Sequence, residues 1–182
     1  FGSSIADGSI ATNSESILKF KNSYLSKLQP FTKGNNIVVD KMPLNFRYIG
    51  LIAAAFPEAK IIHVIRDPKA VCWSNYKRYF PGSVMGYSYN ISNTIEYYSL
   101  YQKIMCFWHE TIGEKIYDLD YDLLTSEQAQ ETHRLITNME LDWDENCLLP
   151  EKNSGAVKTA STTQVRVPVY QGSSEKWRAY EK

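Results

Sequence analysis

The chain has 182 residues, 43% of them hydrophobic, and its twenty basic residues balance its twenty acidic ones. This length and hydrophobic content suit one folded domain with a core and argue against disorder. The zero net charge argues against broad, non-specific binding of nucleic acid but leaves room for a local cationic pocket. No apolar run approaches the roughly 18 residues of a membrane span.

The predicted elements alternate between helices and short strands, which indicates an α/β fold with a largely parallel sheet covered on both faces. Helical spacing, capping residues and breakers predict helices over 14–29, 45–55, 68–80, 91–112, 125–139, 143–148 and 175–182. The apolar runs predict strands over 37–39, 60–65 and 115–119, the first two buried on both faces. Ser14 or Ser16 is the predicted cap of the first helix, and Ser173 or Ser174 that of the last.

Three residues with polar side chains follow the predicted strands, namely Lys41, Arg66 and Tyr121. The carboxyl ends of parallel strands lie on one edge of a sheet, where ligands bind. Two cations and a phenol at that edge suit a phosphorylated ligand. The alternative, which spacing leaves open, is a surface lysine, an arginine paired with Asp67 and a tyrosine that only packs.

The most informative pattern lies in residues 56–80, FPEAKIIHVIRDPKAVCWSNYKRYF. It predicts a strand that delivers Arg66 to a loop and then a helix that begins near Pro68. Ser74 and Arg78 are expected one turn apart on one face of that helix. An arginine, a helix start and a hydroxyl together predict a phosphate-binding corner.

The cysteines and histidines are scattered and show no zinc-ligand or catalytic spacing, so we expect no metal site. The odd number of cysteines favours reduced thiols and a cytoplasmic setting. Cys72 is expected to be a small buried apolar residue. His63 is expected to be a satisfied core histidine. The residues concerned are Cys72, Cys106, Cys147, His63, His109 and His133.

Two blocks of the chain resemble a known family. The run VVDKMPLNFRYIGLIAAAFPEAKIIHVIRDPKAVCWSNYKRYF is similar to the core of bacterial sulfotransferases, especially those fused to tetratricopeptide repeats. The run TASTTQVRVPVYQGSSEKWRAYEK is similar to their C-terminal signature. More distantly, both resemble protein-tyrosine sulfotransferases. The similarity extends from about Asn36 to the end of the chain.

The resemblance implies a P-loop-NTPase-like, three-layer α/β/α fold and transfer of a sulfuryl group from 3′-phosphoadenosine 5′-phosphosulfate to a hydroxyl or amine, with no obligatory metal. It implies that Lys41 and Ser161 act on the transferring sulfate and the donor's phosphosulfate end. It also implies that the donor is bound through its 3′-phosphate and neighbouring groups by Arg66, Ser74, Arg78, Tyr121 and Lys176.

One part of the family pattern is missing. The glycine-rich loop that holds the 5′-phosphosulfate, and the strand before it, have no counterpart, and the chain opens FGSSIADGSI without an initiator methionine. We therefore expect residues 1–35 to form a loop and helix and residues 36–182 to be the C-terminal portion of a sulfotransferase domain, inactive by itself. An upstream segment, a second chain or a rearrangement is expected to complete the sheet.

Two other functions stay open at this stage. One is a module that binds adenosine 3′,5′-bisphosphate or a partner without catalysis. The other is a relative of nucleotide kinases, which the missing loop and missing Walker-type lysine weaken. The acceptor, a small molecule or a peptide, is not readable from the sequence. Four aromatic residues are candidates for either an acceptor groove or the core, namely Tyr79, Tyr87, Tyr89 and Trp108.

Overall fold

A computed structural model describes residues 11–32, 34, 37–81, 84–153 and 166–181. Within them lie two strands, β1 (Ile61–Ile65) and β2 (Ile116–Asp120), which pair in a small parallel sheet. The α-helices are α1 (Ser14–Thr32), α2 (Ile49–Ala55), α3 (Pro68–Tyr76), α4 (Ile91–Ile112), α5 (Tyr121–Ser126) and α6 (Gln128–Asn138). Short 3-10 helices cover Pro43–Tyr48, Gly86–Tyr89, Gly113–Lys115, Glu145–Leu148, Pro150–Lys152 and Ser173–Tyr180. The predicted mixture of helices and strands is confirmed, while its three-layer arrangement stays a prediction.

The chain divides into two compact units. The first comprises residues 1–61 and 101–115, and the second comprises residues 62–100 and 116–182. Each has a small apolar core of its own. Among the described residues, the buried apolar ones are Ile49, Ala55 and Met105 in the first unit and Ala70, Cys72, Ile116 and Leu119 in the second. The predicted boundary between residues 35 and 36 falls inside the first unit and stays a prediction.

Helix α1 begins with a reciprocal cap. The Asn13 side chain accepts the Ser16 backbone N–H at 2.9 Å, and the Ser16 hydroxyl accepts the Asn13 backbone N–H at 3.0 Å. The capping residue is therefore Asn13 rather than Ser14 or Ser16, because Ser16 occupies the position three residues into the motif. The helix also continues past Pro30, its predicted end, to Thr32. Pro30 lacks the N–H for its own helical hydrogen bond, and only two residues of the helix follow it.

An aromatic cluster holds α1 against the end of α2. The Phe56 ring lies edge-on to the rings of Phe20 and Tyr24, with centroids 6.4 Å and 5.3 Å away. The Lys21 ammonium lies 5.3 Å from the Phe56 ring centroid and 3.6 Å from a Glu58 carboxylate oxygen. Offset and edge-on aromatic pairs of this kind add about 0.5–1.5 kcal/mol each beyond burial of area.

The prediction of a buried strand at 37–39 is wrong. The segment has no strand structure, and the residues Ile37 and Val39 are 61% and 85% exposed. The strand β1 forms as predicted but is not buried on both faces, since Ile62 and Val64 are 41% and 54% exposed. A strand needs a hydrogen-bonded neighbour, and within the described residues the only ladder joins β1 to β2.

Helix α4 covers Ile91–Ile112, the predicted limits. The predicted helix at 45–55 instead begins as the 3-10 turn Pro43–Tyr48 and becomes α-helical only from Ile49. Among the described helices, none has both the length and the apolar character that crossing a membrane requires.

The predicted capping box around Thr125 and Gln128 is also absent. The hydroxyls of Thr125 and Ser126 donate to the Asp122 carbonyl inside α5, and Glu127 makes no side-chain cap for α6. Because these hydroxyls are used by the preceding helix, one predicted helix becomes two.

Gly50 lies where α2 meets the indole of Trp108. A β-carbon added at Gly50 would come within 2.7 Å of two indole carbons, and the indole is held by donating its N–H to the Phe46 carbonyl at 2.8 Å. We expect Gly50→Ala to lower the free energy of unfolding by about 1–3 kcal/mol, as overpacking does. Urea denaturation followed by circular dichroism measures the change.

Gly86→Ala is the matched control, because a β-carbon at Gly86 meets no atom within 4 Å. Helix propensity alone would make Gly50→Ala stabilising by about 1 kcal/mol. A Gly50→Ala variant as stable as the parent would therefore contradict the close contact with Trp108.

Tyr24 on α1 donates a hydrogen bond from its hydroxyl to the Asp40 carboxylate at 2.8 Å, which ties the exposed segment before Lys41 to the helix. Burial, with the bond to Asp40 and its charge, raises the pKa of Tyr24 to about 12. The folded state thus favours the neutral phenol. This contribution to stability is complete below pH 10 and is lost as the pH rises through about 12.

We expect Tyr24→Phe to lower the free energy of unfolding at pH 7 by about 0.5–1 kcal/mol, since one exposed hydrogen bond is lost. The further loss of stability between pH 9 and 11 should be smaller in this variant than in the parent. Thermal unfolding at pH 7, 9 and 11 measures both effects. Tyr79→Phe is the control, because Tyr79 is 77% exposed. Parallel pH profiles for Tyr24→Phe and the parent would argue against the bond.

Candidate functional site

Arg66 and Tyr121 meet at one edge of the sheet. Arg66 follows β1 directly and Tyr121 follows β2, so the parallel pairing places both at the carboxyl ends of neighbouring strands. The guanidinium carbon of Arg66 lies 4.6 Å from the centroid of the Tyr121 ring, a cation–π contact. Two of the three predicted strand-end residues are thus in contact.

Two serines from the end of the chain complete this cluster. The Arg66 Nε–H donates to the Ser174 hydroxyl at 2.8 Å, and its Nη2 donates to the Ser173 hydroxyl at 2.9 Å. The Ser173 and Tyr121 hydroxyls share a further hydrogen bond of 2.8 Å. Ser174 is only 5% exposed. We call Arg66, Tyr121, Ser173 and Ser174 the arginine cluster.

The prediction that Ser173 or Ser174 caps a last helix is therefore wrong. Segment 173–180 is a 3-10 helix that begins after Gly172, and no side chain caps it. Gly172 has a φ of 80°, a left-handed conformation that suits glycine. The seryl hydroxyls face Arg66, more than 100 residues earlier in the chain. The sequence around the serines could not reveal these hydrogen bonds, because their partner is distant in the chain.

Asp67 does not serve as the partner of Arg66. Its carboxylate accepts the backbone N–H of Ala70 at 2.7 Å and so caps α3, with Pro68 at the first helical position as predicted. The hydrogen bonds described for the Arg66 guanidinium go to serines instead. An ion pair between Arg66 and Asp67, the alternative that the sequence left open, therefore does not describe the contacts of Arg66.

The 173–180 segment is held against α3 at several points. The rings of Trp73 and Tyr180 lie 4.6 Å apart between centroids. The Lys69 ammonium lies 4.3 Å from the Trp177 ring centroid and 3.8 Å from a Glu181 carboxylate oxygen. These contacts fix the segment that carries both serines of the arginine cluster.

Ser74 and Arg78 do not share a helix. Ser74 is half-buried on α3, whereas α3 ends at Tyr76 and Arg78 lies two residues beyond it. The Arg78 backbone N–H donates to the Asn75 carbonyl at 3.2 Å, so the last turn tightens from α-helical to 3-10 geometry. The predicted stripe of Ser74 and Arg78 along one helical face is therefore wrong, although their proposed binding roles are untested.

The three remaining predicted residues are not among the residues of the arginine cluster. Lys41 is exposed on the irregular segment of the first unit, next to Asp40. Lys176 is exposed within 173–180, with its ammonium 5.1 Å from the Tyr170 ring centroid. Ser161 falls outside the described residues. Their roles stay predictions.

His63 has a hydrogen-bond partner, as expected of a satisfied histidine, but it is half-buried rather than fully buried. On the face of the sheet its Nδ1 lies 2.7 Å from an Asp118 carboxylate oxygen, across from β1 to β2. Cys72 is buried as expected, with burial raising the pKa of its thiol. All three cysteines are free thiols.

The four aromatic residues divide between core and surface. Tyr87 stacks on Tyr97 with centroids 3.9 Å apart, and burial, followed by the neighbouring Tyr97 and Cys72, raises the pKa of Tyr87 to about 12. Tyr79 and Tyr89 are exposed, with rings 6.2 Å apart. Trp108 is half-buried in the first unit beside Gly50. A role of any of the four in an acceptor groove stays a prediction.

A cavity of about 680 Å³ lies elsewhere in the second unit. Two of its lining side chains contact residues outside the cavity lining: Arg134 donates to the buried Glu131 at 2.5 Å, and the His133 and Trp143 rings stack with centroids 3.4 Å apart. None of its lining residues was predicted as a site residue: Tyr117, Gln130, His133, Arg134, Thr137 and Asn138. We therefore take the arginine cluster, rather than this cavity, as the candidate functional site.

Comparison with known proteins identifies the same family as the sequence motif around Arg66. The model of the sulfotransferase family matches residues 11–145, which include Lys41, Arg66 and Tyr121. A protein of Aquifex aeolicus (strain VF5), described as uncharacterized, is 38% identical over 161 residues. The aligned part is 87% of this chain and 21% of that protein, so the chain spans about a fifth of the relative's length.

The bond between Tyr121 and Ser173 can be isolated by a double-mutant cycle. Tyr121→Phe keeps the ring beneath Arg66 but loses the hydroxyl, and Ser173→Ala loses the other partner. We expect a coupling free energy of about 0.5–1.5 kcal/mol in unfolding experiments. The cycle of Tyr121→Phe with Ser174→Ala should give a smaller value, because Ser174 bonds Arg66 alone in this cluster. Equal values in both cycles would count against the bond.

Proposed function

Because the chain belongs to the sulfotransferase family, we propose that it transfers a sulfuryl group from 3′-phosphoadenosine 5′-phosphosulfate to a hydroxyl or amine acceptor. The observation that carries the proposal is the arginine cluster at the carboxyl edge of the sheet. A guanidinium beside a phenol and seryl hydroxyls offers an oxyanion a positive charge and the remaining N–H donors of Arg66. This is the chemistry that the donor's 3′-phosphate requires.

The donor's other groups are assigned to the residues that the resemblance implies. Arg66 binds the 3′-phosphate with Ser74, which is half-buried in the second half of α3. Arg78 and Tyr121 add donor contacts. Lys176, exposed on the 3-10 helix that carries Ser173 and Ser174, contacts a donor phosphate.

The transfer step forms a bond from the acceptor oxygen or nitrogen to sulfur. The bond from sulfur to the bridging oxygen of the donor breaks, and adenosine 3′,5′-bisphosphate leaves with that electron pair. The acceptor's proton passes to a base that the described residues do not identify. Lys41 is proposed to stabilise the charge on the bridging oxygen, and Ser161 to contact the phosphosulfate end. Fixed cations suffice for such a step, so no metal is invoked.

Calorimetric titration with adenosine 3′,5′-bisphosphate tests the proposed site. Arg66→Ala should weaken binding by about 1.5–3 kcal/mol, roughly 10- to 150-fold in Kd, because a charged hydrogen-bond donor to phosphate is lost. Arg47→Ala is the matched control, since Arg47 also lies over a tyrosine ring, at 5.6 Å from the Tyr48 centroid. Adenosine 5′-monophosphate, which lacks the 3′-phosphate, should bind both variants and the parent alike.

Binding that survives Arg66→Ala unchanged would overturn the assignment of the 3′-phosphate site. Transfer of labelled sulfate from the donor to hydroxyl and amine acceptors distinguishes an enzyme from a module that only binds the nucleotide. Phosphoryl transfer from ATP in the same mixtures would instead favour a kinase relative.

A further inference from the structure

We propose that Ser173 and Ser174 are positioning residues for Arg66, and that the 173–180 segment is therefore part of the anion site. Neither serine was predicted to act at the site. The proposal rests on the proposed function only for the identity of the anion. Its physical basis is the orientation of one guanidinium.

A guanidinium has two edges that can each bind an oxyanion through two parallel hydrogen bonds. One edge carries Nε and Nη2, and the other carries Nη1 and Nη2. In Arg66 the two seryl hydroxyls accept from Nε and Nη2, at 2.8 Å and 2.9 Å, so they occupy the first edge. The ring of Tyr121 lies against the face of the group at 4.6 Å. Together these contacts determine the plane of the guanidinium and the direction of its second edge.

The second edge is the one that an anion would use. Of the five N–H donors of the group, the described hydrogen bonds occupy two, and both are on the serine side. An arginine fixed in this way loses less side-chain freedom on binding than an arginine that must first be ordered. The serines therefore contribute to affinity without having to touch the ligand.

The pair of hydroxyls on Ser173 and Tyr121 also leaves one proton available for a further hydrogen bond. The Ser173 and Tyr121 hydroxyls carry two protons between them, and their shared bond uses one. Whichever hydroxyl donates within the pair, the second proton can be donated to an oxygen of the anion. The cluster thus combines a fixed cation with a neutral donor, as recognition of a phosphate or sulfate ester requires.

The serines can hold Arg66 because the segment that carries them is docked. Trp73 packs on Tyr180, and Lys69 contacts Trp177 and Glu181, so 173–180 is anchored along α3. Ser174 is 5% exposed, and removal of its hydroxyl leaves little room for water to replace it. Loss of either hydroxyl should therefore loosen Arg66 rather than be compensated by solvent.

Titration of adenosine 3′,5′-bisphosphate into serine variants tests the effect on affinity. Ser173→Ala and Ser174→Ala should each raise Kd about tenfold, since one hydrogen bond to a charged group is lost. Ser173→Thr, which keeps the hydroxyl, should restore most of the affinity. Ser99→Ala is the matched control, because the exposed Ser99 hydroxyl donates to its own helix at the Ile95 carbonyl. Binding of adenosine 5′-monophosphate should change less than twofold throughout.

A second measurement needs no ligand. In the parent chain the Arg66 Nε–H resonance should exchange slowly with water in ¹⁵N NMR spectra, because it is bonded to Ser174. Ser174→Ala should accelerate that exchange about tenfold or more, by loss of the bond. Ser99→Ala should leave it unchanged. Unchanged exchange in Ser174→Ala would overturn the positioning role, whatever the ligand data show.

The outcomes separate the two proposals. If Arg66→Ala weakens bisphosphate binding while both serine variants bind as the parent does, the positioning role fails and the proposed function stands. If the parent does not bind the bisphosphate, the proposed function fails, and the exchange of the Arg66 Nε–H alone decides the role of the serines.

Discussion

The contact on which the site depends is that of the Arg66 guanidinium with Ser173, Ser174 and Tyr121. An arginine is charged at every accessible pH, so a half-buried one must have partners for its donors. Here the partners come from the end of the chain and from the start of α5. The Arg66 side chain therefore connects the ends of both strands to the C-terminal 3-10 helix. These contacts fix the positions of the side chains at that edge of the sheet.

The sheet itself could not supply this rigidity. It has two strands within the described residues, and the outward residues Ile62 and Val64 of β1 are exposed. Two strands alone are marginally stable in water. Helix packing has to provide the rest, above all the contacts of α3 with the C-terminal segment at Trp73, Tyr180 and Trp177. The elements that stabilise the second unit are thus the same ones that hold the arginine cluster.

This arrangement suits the chemistry of the family. Sulfuryl transfer moves an anionic group from one nucleophile to another, so binding must be achieved with cations and hydrogen-bond donors whose positions are set before the donor arrives. In the arginine cluster the hydrogen bonds described for the cation go to neutral hydroxyls, so these partners do not neutralise its positive charge. A carboxylate in the place of Ser173 or Ser174 would hold Arg66 equally well but would repel a phosphate.

Local features were readable from the residues. Apolar runs and the Asp-Pro step predicted β1, the start of α3 and the limits of α4, because these depend on neighbours a few positions away. The motif around Arg66 likewise indicated the family, and the rule for parallel strands placed Arg66 and Tyr121 on one edge. Two predictions failed because a distant segment decides the outcome: segment 37–39 needed a pairing strand, and the use of Ser173 and Ser174 depended on a partner over 100 residues away. Near Thr125 the failure was local, because the Asp122 carbonyl three residues earlier accepted the hydroxyl that was expected to cap the next helix. The sequence by itself determined β1, the start of α3, the limits of α4 and the arginine that follows the strand. Only the tertiary structure decided what orients that cation, because hydrogen-bond partners are chosen by proximity in space.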